Sequence, residues 1–308
     1  MEQDLVLSGG MVEIYSDLAL RDRLLFRGGT ALHKIILRPP ARYSEDLDFV
    51  QIREELIGET LDRLRARLDP WLDSPKSNVG PRGARLIYRF ESELPPVIRM
   101  RLKIEINTRE HMCLQPLQHS EFTVQSRWFT GVAMLPIYST SELLGTKLRA
   151  LYQRPKGRDL FDLWHAQESG LLAANEVVEI FSHYMKAEGK PITAAKFQSN
   201  LADKMNHPGF LSDTPPLLRP GIHFNPAEAH EWVVTNLLPA PGIVGHMSVR
   251  LCFTRTTHVA MAETPSKSQR TIVPSGISVR RDAVRRRMAS SARASASTGR
   301  AARAFAPE

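Results

Sequence analysis

The chain has 308 residues, enough for one large domain or two ordinary ones around a buried core. Its content of 42% hydrophobic and 24% charged residues is that of a globular protein. No apolar run approaches the ~18 residues of a membrane-spanning helix, and two cysteines, Cys113 and Cys252, exclude a disulfide framework or a Cys-rich zinc site. The net charge of +8 resides at one end: Gly242 to Glu308 holds 12 Lys/Arg against Glu263, Asp282 and Glu308, so an argument from charge to nucleic-acid binding applies to that tail alone.

The acidic start, Met1-Glu2-Gln3-Asp4, lacks the basic-then-apolar pattern of a secretory signal, and a cytoplasmic protein is expected. Residues 10–22 read as a helix with Met11, Ile14, Tyr15 and Leu18 on one side. A short apolar strand, Leu24–Phe26, runs into Gly28-Gly29-Thr30 and a helix over Ala31–Leu37, which Pro39-Pro40 ends. Arg42–Val50 reads as a strand and Glu54–Leu68 as a helix with Leu56, Ile57, Leu61, Leu64 and Leu68 at helical spacing. Ala84–Phe90 and Val97–Asn107 read as a hairpin, and Glu121–Gln125 as a further strand. From about Tyr138 the pattern is helical, over Ser141–Gln153, Arg158–Gln167, Asn175–Ala187, Thr193–Met205 and Pro226–Leu238. Val249, Leu251 and Phe253 alternate as in one strand. Beyond about Thr264 the chain is rich in Ser, Ala and Arg and reads as disordered. The division expected is a mixed α/β core over residues 1–137, a helical module over 138–241 that completes the active site, and a basic tail over 242–308.

The chemistry gathers at Ser44-Glu45-Asp46-Leu47-Asp48. Period-two alternation puts Asp46 and Asp48 on one strand face and Leu47 and Phe49 on the other. Two carboxylates held that close repel, and hard oxygen ligands of this kind suit Mg²⁺ together with substrate phosphates. Alone, such a pair is more often a solvated strand edge. Upstream, Gly28-Gly29-Thr30 at a strand-to-helix turn has the layout of a phosphate cradle, since glycines admit close approach and helix N-terminal N–H groups point at an anion. Fifteen residues separate the cradle from the carboxylate pair, and the combination is far more specific than either part. Glu105 shares a strand face with Lys103 and Asn107 and meets Asp46 and Asp48 if the two strands are neighbours; there it has the chemistry to ligate a metal or take a proton. Lys147 stands on the apolar side of its helix and has to reach water or an anion, for which a nucleotide phosphate is the candidate. Asp159 and Asp162 are three apart and share a face, although Arg158 and Asp162 have the spacing of a surface ion pair.

In this order the chain resembles the AbiEii/AbiGii family of nucleotidyltransferase toxins, which also holds the MenT-type toxins. The matching residues are Gly28-Gly29-Thr30-Ala31-Leu32, Ser44-Glu45-Asp46-Leu47-Asp48, Lys103-Ile104-Glu105, Leu143 with Lys147 and Ala150, and Arg158-Asp159 with Asp162, across roughly residues 3–170. The resemblance implies a DNA polymerase β-type nucleotidyltransferase core with a helical C-terminal module. It implies Mg²⁺ on Asp46 and Asp48, service of Lys147 and Asp162 in the active site, and an NTP as substrate. It further implies a tRNA 3′ end as acceptor and a cognate antitoxin. The segment after about Gly242 departs from the family pattern. Two other readings stand beside this one: phosphoryl transfer to a protein hydroxyl, and a non-catalytic nucleotide- or RNA-binding protein of the same fold. The carboxylate set argues against the last, because a pure binder has no need of both Asp46 and Asp48.

Overall fold

The structure is a computed structural model and describes residues 2–238 apart from 82 and 94; the alternation at Val249–Phe253 and the Arg-rich tail lie outside the described residues. Seven strands form one mixed sheet in the order β3-β4-β5-β2-β1-β7-β6. They are β1 Leu24–Arg27, β2 Asp46–Gln51, β3 Lys76–Gly80, β4 Gly83–Glu91, β5 Arg99–Asn107, β6 Gln118–Gln125 and β7 Thr130–Ile137. β2 runs parallel to β5 and antiparallel to β1, so the carboxylate strand sits near the centre of the sheet with partners on both sides.

Two helices, α1 Glu2–Tyr15 and α4 Gly58–Leu72, cover one face of the sheet. Leu7, Met11 and Ile14 of α1 and Leu61, Leu64 and Leu68 of α4 meet Leu47, Phe49, Leu102, Ile104 and Ile106 in a continuous core. This is the expected alternation: each of these strands gives its odd or even residues to the core and the rest to the opposite face. Leu18 and Leu56 are exposed, contrary to the helices expected over 10–22 and 54–68. The first breaks at Ser16-Asp17, where the Asp17 side chain accepts from the N–H groups of Ala19 and Leu20 and starts a new helix, α2 Leu18–Arg23, that buries Leu20 instead. The second starts at Gly58, four residues later than the apolar spacing suggested. The strand expected from Arg42 begins at Asp46; β3 and β7 have no counterpart in the elements read from the sequence.

The helix after β1, α3 Gly28–Ala31, continues as a wider turn over Leu32–Ile36. From Thr140 to Leu237 the chain is mainly helical: α5 Thr140–Gln153, α6 Gly157–Glu168, α7 Ala174–Ala187, α8 Ala194–Met205, the short α9 Pro208–Leu211, and α10 Pro226–Trp232 running on through Leu237. Leu144, Leu148, Leu160, Leu163, Val177, Phe181, Phe197 and Leu201 form a second core, and Leu32 and Leu37 reach into it from the first half of the chain. A strap then returns to the first half. The Tyr43 N–H donates to the Leu217 carbonyl at 2.8 Å and the Arg219 N–H to Ala41 at 2.9 Å. The Arg219 guanidinium also stacks on the Tyr43 ring at 4.6 Å. The loop that leads into β2 is thereby held by residues 170 or more positions downstream. Among the described residues no helix is long and apolar enough to cross a membrane.

Candidate active site

The edge of the sheet where β1 ends and β2 begins opens into a cleft of about 1210 Å³, closed on the far side by α5 and the α5–α6 turn. Asp46 and Asp48 both face it, as the alternation requires, while Leu47 and Phe49 are buried behind them. Parallel pairing sets Glu105 directly beside Asp48 and Lys103 beside Asp46. The juxtaposition of the third carboxylate with the first two is therefore a matter of register.

Two glycines make the turn possible. Gly28 has φ +79°, and a Cβ there would lie 2.3 Å from the Asp48 carboxylate; at Gly29 a Cβ would lie 2.2 Å from the Arg42 guanidinium. Any side chain at either position would displace one of these groups. The Thr30 hydroxyl donates to the carbonyl of Asp46, tying the helix start to the first residue of β2.

Asp46 and Asp48 differ in their surroundings. Asp46 Oδ2 accepts from Lys103 Nζ at 2.7 Å, whereas its Oδ1 is buried without a partner. Burial pushes both carboxyls above the usual range. At Asp46 the Lys103 ammonium opposes the rise, and at Asp48 the neighbouring Asp46 charge adds to it. Glu105 reaches the site with its oxygens engaged, Oε1 by Arg85 at 2.6 Å and Oε2 by Lys103 at 3.3 Å. The pair therefore keeps one buried carboxylate oxygen, Asp46 Oδ1, without a partner, where a cation would find a ligand. Among the described residues no three of His, Cys, Asp and Glu form a ready cage for a metal ion. Two carboxylates fit Mg²⁺, which keeps waters and substrate oxygens in its remaining positions.

Behind the cleft lies a second ionic cluster. Asp162 is fully buried and takes a bidentate pair from Arg42 at 2.7 and 2.9 Å, Lys147 Nζ at 2.7 Å and His33 Nε2 at 2.8 Å. Lys147 also meets Asp159 at 3.0 Å, and Arg154 closes on Asp159 from outside at 2.7 Å. Although burial opposes it, Arg42, then Lys147 and His33, hold Asp162 well below the usual carboxylate range. Burial draws His33 down to about 4 and keeps it neutral, so Nε2 donates to Asp162. The anionic partners of Lys147 are thus two aspartates of α6, yet the ammonium still lines the cleft beside Gly29. Asp162 does not line it; its reach to the cleft runs through Arg42 and Lys147. Arg158 pairs with Glu45 at 2.7 Å and with Asp213, and not with Asp162.

Arg42 and His33 were not singled out by sequence reasoning. A helix carrying Asp159 and Asp162 toward one lysine signals a need for more cations, but not which distant loop supplies them. The near-neutral charge of the body also conceals its distribution: eleven Lys and Arg line the cleft against four Asp and Glu. The argument from charge to a polyanion therefore extends beyond the tail.

The family model described as Nucleotidyl transferase AbiEii toxin, Type IV TA system, matches residues 11–236. No curated protein matches the sequence. Among solved structures the chain is similar to MenT4, a nucleotidyltransferase toxin from Mycobacterium tuberculosis H37Rv, at 18% identity and TM-score 0.48 over 77% of this chain and 92% of that one. It is also similar to JHP933 from Helicobacter pylori, at 18% identity and TM-score 0.46 over 77% and 91%.

Proposed function

Because the chain belongs to the AbiEii family of nucleotidyl transferase toxins from type IV toxin–antitoxin systems, we propose that it transfers a nucleoside monophosphate from an NTP to an RNA hydroxyl in the cytoplasm, with a tRNA 3′ end as the acceptor and Mg²⁺ as the metal. A cognate antitoxin and an NTP substrate accompany membership of such a family. The observation that carries the reading is the Asp46–Asp48 pair at the mouth of a cation-lined cleft, with one buried carboxylate oxygen unsatisfied. Asp46 and Asp48 would hold the divalent cation, which would supply positive charge against the negative charge of the substrate phosphates.

The remaining work falls to the chain itself. The N–H groups at Gly28–Thr30 and the Lys147 ammonium face the triphosphate, and Arg42, fixed by Asp162, backs the turn. In the transfer the acceptor oxygen bonds to the α-phosphorus, the bond to the β-phosphate oxygen breaks, and pyrophosphate leaves as the hydroxyl proton passes to water or a carboxylate. Glu105 orients Arg85 and Lys103 in this scheme. Residues 1–137 supply the carboxylates, and the module over 138–241 supplies Lys147 and, through the ionic cluster, Asp162.

The test is incubation with total RNA and each NTP labelled at the α-phosphate, followed by gel separation. A labelled RNA band is the expected result. Label passing to protein, and only from the γ-phosphate, would replace this reading with phosphoryl transfer to a protein hydroxyl; binding without any transfer would leave a nucleotide-binding protein.

A further inference from the structure

The cleft does not end at its carboxylates. Residues paired directly across neighbouring strands point to the same side of a sheet, so the register carries the catalytic face outward. Asp48 stands beside Glu105, which faces Arg85, which faces Asn78; Asp46 stands beside Lys103, which faces Ile87, which faces Lys76. Farther along, Arg101 faces Arg89 and Arg99 faces Glu91. The reverse side of β4 and β5, with Leu86, Tyr88, Leu102 and Ile104, is core.

Lys76, Arg85, Arg89, Arg99 and Arg101 are exposed on this face and Lys103 is half-buried, with Glu91 and Glu105 as the acidic residues among them. Arg85 and Lys103 are paired to Glu105. Among the described residues, Lys76, Arg89, Arg99 and Arg101 have no carboxylate at ion-pair distance. Arg89 directly opposite Arg101 is a like-charge cross-strand pair, which destabilises an isolated sheet. Such crowding yields nothing to the folded monomer; it suits an anion that lies across it. A shallow depression of about 180 Å³, between Lys76, Asn78, Arg85, Ile87 and Arg89, joins this face to the cleft, which itself includes Asn78, Arg85 and Arg101.

The chemistry of the patch selects its occupant. Guanidinium forks match phosphate oxygens two at a time. Same-face residues recur about every 6.7 Å along a strand, giving rows of cations rather than a single point. Ile87 is the one apolar side chain among them, so the patch lacks the apolar centre of a protein–protein interface. We propose that the exposed face of β3, β4 and β5 is the docking track for the sugar–phosphate backbone of the acceptor RNA, leading its reacting hydroxyl to Asp46 and Asp48. This rests on the reading that the acceptor is RNA.

The experiment measures binding of total tRNA to the full-length protein without NTP, over a salt series, for the wild type and for Lys76→Glu/Arg89→Glu/Arg99→Glu, three positions outside the catalytic cleft. These side chains are exposed and off the core, so the melting temperature serves as a control for folding. The triple variant is expected to bind tRNA at least ten-fold more weakly near 100 mM salt, with the dependence of log K on log salt shallower by about two to three, as for the loss of as many phosphate contacts. It is expected to label an RNA trinucleotide, too short to reach the track, at the wild-type rate. Equal tRNA binding by wild type and variant would overturn the track and leave the proposed activity standing. A wild type that binds no tRNA at any salt would overturn both. Loss confined to Lys156→Glu on the opposite wall, or loss of polyglutamate binding with tRNA binding intact, would assign the acceptor elsewhere or the face to an acidic protein, and would overturn it too.

Discussion

Asp48 carries opposite demands. Burial and the Asp46 charge push its carboxyl up, which means that the folded state disfavours its ionised form. Asp48→Asn is therefore expected to raise the melting temperature of the metal-free protein while lowering transfer by on the order of 10³-fold or more. A near-normal rate in the RNA-labelling assay would remove Asp48 from the site. His33 has the reverse linkage for a base. Its folded value of about 4 lies below the ordinary 6.5, so the unfolded chain binds the extra proton first. The stability this contributes is complete above pH 6.5 and is lost as pH falls toward 4, up to about 3 kcal/mol. Urea melts of His33→Gln are expected to be less stable at pH 7 but to lose less between pH 6.5 and 4; a wild-type slope in that window would place the acid sensitivity elsewhere. At this scale the sequence was legible where alternation or register decided: both aspartates and Glu105 face the cleft as their spacing required. Arg42 and His33 were not, because what selects them is a carboxylate 120 and 129 residues away.

Elements add what residues cannot. The helix pair α5–α6 is bound by Lys147, whose ammonium holds both Asp159 and Asp162 in a buried setting. A lysine on an apolar helix face reads from sequence as a group in search of an anion, and either a substrate or the protein can answer. Here the protein does, and the cost of removing it changes accordingly. Lys147→Met is expected to destabilise the fold toward the lower end of about 3–5 kcal/mol, because Arg42, His33 and Arg154 keep partial hold of the two aspartates. Activity per folded molecule is expected to fall as well. A lowered melting temperature with unchanged specific activity would make Lys147 a structural cation only. The long helices α5 to α8 were readable to within about a residue because they are strongly periodic, whereas the four-residue α9 was not. β3 escaped notice because all five of its residues are exposed, which leaves no alternation to see.

For the whole molecule, charge summed over the chain misleads in both directions. It assigns the basic character to the tail, yet the body arranges its own cations around one cleft. Deleting residues 265–308 is accordingly expected to leave the transfer rate at saturating RNA unchanged and to weaken RNA capture at low salt alone. Loss of transfer at every salt concentration would make the tail part of the catalytic fold. The mixed α/β half and its helical companion were legible as a change of period near Tyr138, but their interdependence was not, since backbone pairing between residues 41–43 and 217–219 leaves no mark on periodicity. That pairing sets an order in time. The loop before Asp46 is translated early and its strap late, so a nascent chain carries its carboxylates long before the strap can pair with the loop that leads into them. A ribosome that stops before residue 217 releases a fragment in which the loop ahead of Asp46 has no strap to pair with.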